Sequence, residues 1–420
     1  MTLKQSPASL AAGIVLALAA AVLAGCGGGG SATPPPSQGA AKEEPLPPAP
    51  PPAEPPPAEK PPVEPPPVEP LPSGPIASML RVGDPVFSLE GPAGMRNPAS
   101  TATLLVDGRV LVTLEGRAQI FDPSSRTWRE TARPLRARSG FPSATLLDDG
   151  SVLLAGGQAV SSGEILKSAE RFDPAREAWE ALPDMIEART EHMAVRMADG
   201  RVLMAGGQLI DRSAEFFDPL ARRWSRASDL LHARGPGGTA TLLADGRVMV
   251  LGSLYPDLGD RIEVLDAQGT TWSDAGRTQQ AYFRPKLLPD LSGEVLIAGH
   301  SNSMQFESET WDPARGTTTM ASFGTRGLGH TATRLHDGRV LVLGGGLEPG
   351  WAQRPGDPVV DVDKSLEIYD PVQREWHFGG TTHEMTSWIG HHAIALHGGE
   401  VLVFGAAAGG STLPAAIVVP

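Results

Sequence analysis

The chain is 420 residues long, carries a formal net charge of −13, and contains 49 glycines and 41 prolines. Its arginines are spread along the chain without a basic cluster, which argues against nucleic acid as a partner. A single cysteine, Cys26, excludes a disulfide framework and any cysteine-based metal site.

Residues 1–25 read as a secretion signal: Lys4 in a short basic start, an Ala/Leu run from Leu10 to Leu23, then Leu23-Ala24-Gly25-Cys26. The run is short and ends at a small-residue cleavage site, so a spanning helix is not expected. This ending resembles the lipobox of bacterial lipoproteins. The resemblance implies that Cys26 carries lipid and that the mature protein is held on a membrane through that lipid only. It places the protein in the cell envelope, and Gly27 after the cysteine favours the outer membrane or cell surface over the inner membrane. Residues 26–78 form a Gly/Pro/Glu-rich linker with Glu54, Glu59, Glu64 and Glu69 at intervals of five. Proline fixes φ and lacks a donor, so this stretch is expected to be a disordered stalk that reaches on the order of 100 Å when extended.

From residue 79 to 420 the chain repeats. Asp precedes Trp by six residues at Asp122/Trp128, Asp173/Trp179, Asp218/Trp224, Asp266/Trp272 and Asp370/Trp376, with Asp312/Thr318 in the same register. A second register sets Asp-Gly or an equivalent pair before an apolar run, at 107, 149, 199, 245, 292, 337 and 398. Units spaced by about 42 to 61 residues indicate an array in which each unit is a small sheet packed on its neighbours. The second unit serves as template. Ser143 to Leu147 and Val152 to Ala155 flank an Asp-Gly hairpin, read as type I′. Ala169 to Phe172 and Trp179 to Leu182 flank an Asp-Pro reversal. Four short strands repeated seven times predict an all-β, seven-bladed propeller.

These units resemble the kelch repeat family, with a glycine after the second strand, a Glu before an aromatic-Asp-Pro turn (Glu170, Glu215, Glu263, Glu309, Glu367, with Gln119 in the first unit) and the spaced Trp. Six units run from Asn97 to about Ile389, and His391 to Pro420 supplies three further strands. The fourth strand of blade seven is expected from the N-terminal side. In the first three units an Arg follows the Trp by ten residues, and Arg96 follows Val86 by ten, so Val86 to Leu89 is expected in that slot, closing the ring and removing an open edge.

One face of such a disc carries the near-constant Asp-Gly and Asp-Pro turns and reads as scaffold, whereas the loops on the other face vary and are the expected place for recognition. Trp351 and Trp388 are the two tryptophans that the repeat does not explain. They share blade-six loops with Arg354, Asp357, Asp361, Asp363, His383 and Glu384, and Tyr255 lies on a neighbouring loop of that face. A flat apolar ring beside fixed charges suits a glycan or peptide ligand; equally, each Trp can pin its own loop. Asp357, Asp361 and Asp363 offer oxygens for Ca²⁺ without an EF-hand spacing, so a solvated acidic loop is the expectation. His192, His330 and His391 stand at the start of innermost strands and read as packing residues rather than as a metal site. Copper radical oxidases resembling galactose oxidase need a Cys-Tyr crosslink, a second Tyr and two His. This chain offers one Cys, assigned to lipid, and only Tyr255, Tyr282 and Tyr369. No enzyme, metal or cofactor is therefore expected. The leading expectation is a monomeric, lipid-anchored propeller that binds a glycan, peptide or protein partner, with a carbohydrate-active enzyme or a structural assembly subunit as alternatives.

Overall fold

The structure is a computed structural model that describes residues 78–81, 100–207, 211–253, 256–290, 292–301, 306–321, 330–344, 365–381, 391–406 and 412–420. Among the described residues seven four-stranded antiparallel sheets follow one another, six of them built in sequence order from an innermost to an outermost strand, whereas the seventh takes its outermost strand from the N-terminal side. In blade two the strands are Ser143–Leu146, Val152–Ala155, Ala169–Asp173 and Ala178–Leu182. The innermost strand of every blade touches that of the next, and blade seven touches blade one, so the ring is closed.

Local chemistry explains the blade. At the Asp-Gly turn only the glycine has positive φ (Gly150, 81°), so the turn is not type I′. Leu147 O instead accepts the Gly150 N–H at 3.0 Å, and the Leu147 N–H donates to Ser151 O at 2.8 Å, a type I turn followed by a left-handed glycine. The aspartate acts through its side chain: Asp149 Oδ1 accepts the Ser151 N–H at 3.0 Å, and Asp107, Asp199, Asp245 and Asp337 do the same for the residue two further on. The Asp-Pro reversal works likewise, with Asp173 Oδ1 accepting the N–H of Ala175.

The second strands are buried along their whole length because both faces of each blade are covered. Leu153 and Ala155 of blade two pack with Val202, Met204 and Phe217 of blade three. Blade seven is held the same way on both sides, through Leu402, Phe404 and Ile417 against Val110 and Phe121 of blade one, and Val401, Val403 and Val418 against Leu341 and Ile368 of blade six. Each such side chain contributes roughly 1.5 to 3 kcal/mol.

The repeat-slot tryptophans are half-buried lids rather than core residues, apart from Trp272, which is buried. Trp128, Trp179, Trp224 and Trp376 each pack, tilted, on the aromatic opposite, as in Phe172/Trp179 with ring centroids 5.0 Å apart, whereas Trp272 faces Leu265. In blades two to four the indole N–H reaches the exit of the preceding blade: Trp179 to Ala132 O at 2.8 Å, Trp224 to Pro183 O at 2.9 Å and Trp272 to Ser228 O at 3.0 Å. Blade five exchanges the pair. Thr318 takes the Trp slot and faces Trp311, which is 1% exposed.

The outermost strand of blade seven is Ser78–Arg81, paired antiparallel with Thr412–Val419 from Ser78↔Val419 to Arg81↔Ala416. The strand expected there, Val86 to Leu89, falls outside the described residues. The spacing rule fails because the link from Arg81 to Thr101 is longer than the equivalent link from Glu130 to Ser143, so a count back from Arg96 does not reach the strand.

Candidate functional site

On the turn face, side chains join one blade to the next at several junctions. Arg109, two after Asp107, binds Asp107 Oδ2 and extends to Pro174 O (3.0 Å) and Glu177 Oε1 (2.7 Å) of blade two. Arg201 and Arg247 reach Gln268 O and Pro313 O of their following blades in the same way. Where this position is Glu, the charges are exchanged: Glu294 receives Arg374 of blade six at 2.6 Å and Glu400 receives Arg126 of blade one at 3.5 Å. Hydrogen bonds from Arg129 and then Arg109 hold the Glu177 carboxyl down at about 2. Two open grooves of about 480 Å³ each lie on this face, one lined by Asp107, Asp122, His397 and Glu400, the other by Asp245, Glu294, Asp312 and Arg374. The side chains of Asp107, Asp245, Glu294 and Glu400 are already paired with arginine.

The opposite face is built on buried posts. Arg138 donates to Glu170 Oε1 (2.8 and 3.0 Å) and to the carbonyls of Gly156 and Ser168, while Glu170 Oε2 accepts the Leu135 N–H. Arg189 with Glu215 and Arg234 with Glu263 repeat this arrangement in blades three and four. In blade five the post is Tyr282, ten residues after Trp272, whose hydroxyl lies 3.0 Å from Glu309 Oε1. These links tie the chain entering a blade to that blade's third strand. Removing one partner strands a buried charge, at roughly 3 to 5 kcal/mol. Beside them, His192 Nε2 lies 2.8 Å from Ser143 Oγ, and its imidazole is pushed down to about 3 by desolvation, with Arg189 and Arg138 adding to the effect. His391 Nε2 makes the matching contact to Thr331 Oγ1 at 2.7 Å, and His330 is buried. The three histidines stand on blades three, six and seven, and among the described residues no three His, Cys, Asp or Glu side chains converge.

The mouth of the central channel on this face is a site that sequence reasoning missed. The innermost strands of blades two to five are in register at Ser143, Met193, Thr239 and Lys286, each opposite the residue before the second-strand glycine. Two residues earlier stand Phe141, Glu191, Gly237 and Arg284, all left-handed, with φ of 54°, 53°, 93° and 51°. For the three non-glycine residues this conformation costs about 1 kcal/mol or more each. Arg284 reaches away from its own blade. Its Nη2 pairs with Glu191 Oε2 at 2.5 Å, and its guanidinium lies 4.2 Å from the centroid of Phe141 and 5.2 Å from that of Phe283. Blades two and five are not neighbours in the ring, so these contacts cross the channel mouth. Arg284 and Glu191 keep 36% and 24% of their side chains exposed, whereas Arg189 has none exposed. The only sequence signal is the fixed offset from the inner strand; the residue types share nothing.

The residues singled out from sequence, Cys26, Tyr255, Trp351, Arg354, Asp357, Asp361, Asp363, His383, Glu384 and Trp388, lie outside the described residues. Those of blade six belong to the segments that join Leu343 to Ser365 and Thr381 to His392, whose described ends are on the channel-mouth face.

The Kelch motif family model matches residues 140–186. Kelch-like protein 23 from Mus musculus is 29% identical over 98 residues, which is 23% of this chain, and the Homo sapiens protein is 28% identical over the same length. The matched region spans 16% of the length of these relatives. Among solved structures, a fungal alcohol oxidase of the AA5 family in complex with copper superposes with a TM-score of 0.62 at 16% identity, covering 82% of this chain and 76% of that one. This likeness is one of fold. The tyrosines described here do not fit a copper centre: the Tyr282 hydroxyl is buried against Glu309, and burial pushes the Tyr369 hydroxyl up to about 12 in a packed cluster with Trp376. The chain is thus a seven-bladed β-propeller whose second blade matches the Kelch motif.

Proposed function

We propose that this propeller is a lipid-anchored recognition module of the cell envelope, which binds a protein, peptide or glycan partner through the channel-mouth face. The observation that carries this reading is the difference between the two faces. On the turn face the repeated Arg and Glu side chains are used in blade-to-blade links. On the other face Arg284 and Glu191 stay partly exposed at a strained channel mouth, ringed by loops of unequal length. Trp351 and Trp388, with the charged residues of their loops, are proposed as contact residues on that face. Two measurements test the reading. Wild-type protein applied to glycan and peptide arrays, and used to capture partners from envelope extracts, returns a ligand whose affinity falls about thirtyfold, the equivalent of about 2 kcal/mol, for each of Trp351→Ala and Trp388→Ala. Cys26→Ser shifts the protein out of the detergent phase. A ligand indifferent to both tryptophans, or unchanged partitioning with a normally cleaved mass, removes the corresponding half of the proposal.

A further inference from the structure

On the turn face, the arginine two residues after the Asp of Asp-Gly follows one design. Arg109, Arg201, Arg247 and Arg339 each bind their own aspartate. The first three also reach the turn between strands three and four of the next blade, at Pro174 O, Gln268 O and Pro313 O. Arg339 of blade six is the exception. Its side chain is the most enclosed of the four, at 14% exposed, yet its Nη1 is buried without an acceptor. A buried donor left unpaired is costly, so the site calls for an acceptor.

Cross-strand register says what stands opposite. Asp173 pairs with Ala178 in blade two and Val419 with Ser78 in blade seven, so Pro420 takes the place of Pro174, and the chain just ahead of Ser78 takes the place of Glu177. In blade two the Nη1 of Arg109 donates to Glu177 Oε1 at 2.7 Å. Strand four of blade seven is not the continuation of strand three but arrives from the N-terminal side. Residue 77 is alanine, and the first carboxylate upstream of Ser78 is Glu69. We propose that the end of the stalk, residues 67–77, docks on the turn face where blades six and seven meet, with the Glu69 carboxylate accepting from Arg339 Nη1 as Glu177 does from Arg109.

The segment has the chemistry for this place. Glu69 lies nine residues before Ser78, and Ser73-Gly74 between Pro72 and Pro75 supplies a reversal. Closing so short a loop costs little once strand four is paired. Val68 and Leu71 flank the glutamate, and Val419, 43% exposed at the same corner, offers them an apolar contact. The inference concerns the face opposite the proposed recognition face and does not depend on it. Its consequence is directional: the stalk leaves from the turn face, and its acidic repeats are kept clear of the channel mouth.

Hydrogen–deuterium exchange of the full chain in detergent micelles, read by mass spectrometry, tests the docking. After correction for intrinsic rates, the amides of residues 68–74 exchange about fivefold or more slowly than those of residues 37–44 of the same stalk. Salt at about 1 M removes most of that difference, because it screens a partly exposed ion pair. Glu69→Gln and Arg339→Gln each bring residues 68–74 up to the upstream rate, and the two together add nothing further. Glu64→Gln leaves the pattern as in wild type. Arg339→Gln also touches blade six, so Glu69→Gln, which lies outside every strand, carries the decision, with the amides of Val340–Leu343 as protected as in wild type. Residues 68–74 exchanging as fast as residues 37–44 in the wild-type chain overturns the docking. Slow exchange that survives Glu69→Gln overturns the pairing of Glu69 with Arg339, and slow exchange that survives Arg339→Gln does the same.

Discussion

Arg189 and Arg284 each meet a glutamate, and their surroundings give the two pairs different roles. Arg189 and Glu215 have no exposed side-chain surface, so the pair is a post whose loss leaves a buried charge. Arg284 and Glu191 sit in contact with water, where an ion pair contributes less than about 1 kcal/mol and is readily exchanged. His192, beside the posts, links folding to acid. Its folded-state value, about 3, lies below the ordinary 6.5, so the unfolded chain takes up a proton that the folded chain refuses. Its contribution is intact above pH 6.5 and declines as pH falls toward 3, at roughly 1 kcal/mol per pH unit. Chemical denaturation of wild type and His192→Asn at several pH values between 6.5 and 4.5, above the window in which Glu177 protonates, therefore gives a steeper loss for wild type. Parallel curves would show that His192 carries no such linkage.

At the scale of the blade, the repeat was legible because its turns need particular chemistry: glycine where φ is positive, aspartate where a side chain must cap the next amide. The Arg that follows Asp-Gly was also in plain sight, but its reach to the next blade needs the ring to be assembled before it has a meaning. The channel mouth was not legible, since its cluster joins residues 93 positions apart on blades three and five and has no common residue type. Tryptophan shows the limit of a slot-based reading. Trp179 and Trp311 belong to equivalent cross-strand pairs, yet one is a half-buried lid and the other is 1% exposed. Trp311→Ala should lower folding stability by about 3 to 5 kcal/mol, and Trp179→Ala by roughly half of that, through lost stacking and the hydrogen bond to Ala132. Denaturant midpoints of the two variants in one buffer decide it, and a Trp179 effect equal to or above that of Trp311 would overturn this ranking.

At the scale of the whole ring, closure combines segments from the two ends of the described chain: the strand Ser78–Arg81 completes a sheet whose other three strands start at His392. That closure would come from the N-terminal side followed from counting strands; the segment that provides it did not, because the link to blade one has its own length. Deleting Ser78 to Arg81 exposes the edge of Thr412–Val419 and should lower the melting temperature of the domain, while deleting residues 27–66 should leave it unchanged. Equal melting temperatures for the two deletions would show that the pairing adds nothing to the ring.

The place where the chain enters the ring also has a mechanical side. Everything upstream of Ser78 is joined to the propeller through a strand of four residues on the outside of blade seven, paired on one side only. Under the tethered arrangement proposed above, with a partner on the opposite face, every pull would pass through that strand, in shear when the force runs along it and by unzipping when the force is perpendicular. The closure strand is then the expected mechanical fuse: under load, the pairing of Ser78–Arg81 should yield first, before the six blades built from continuous chain.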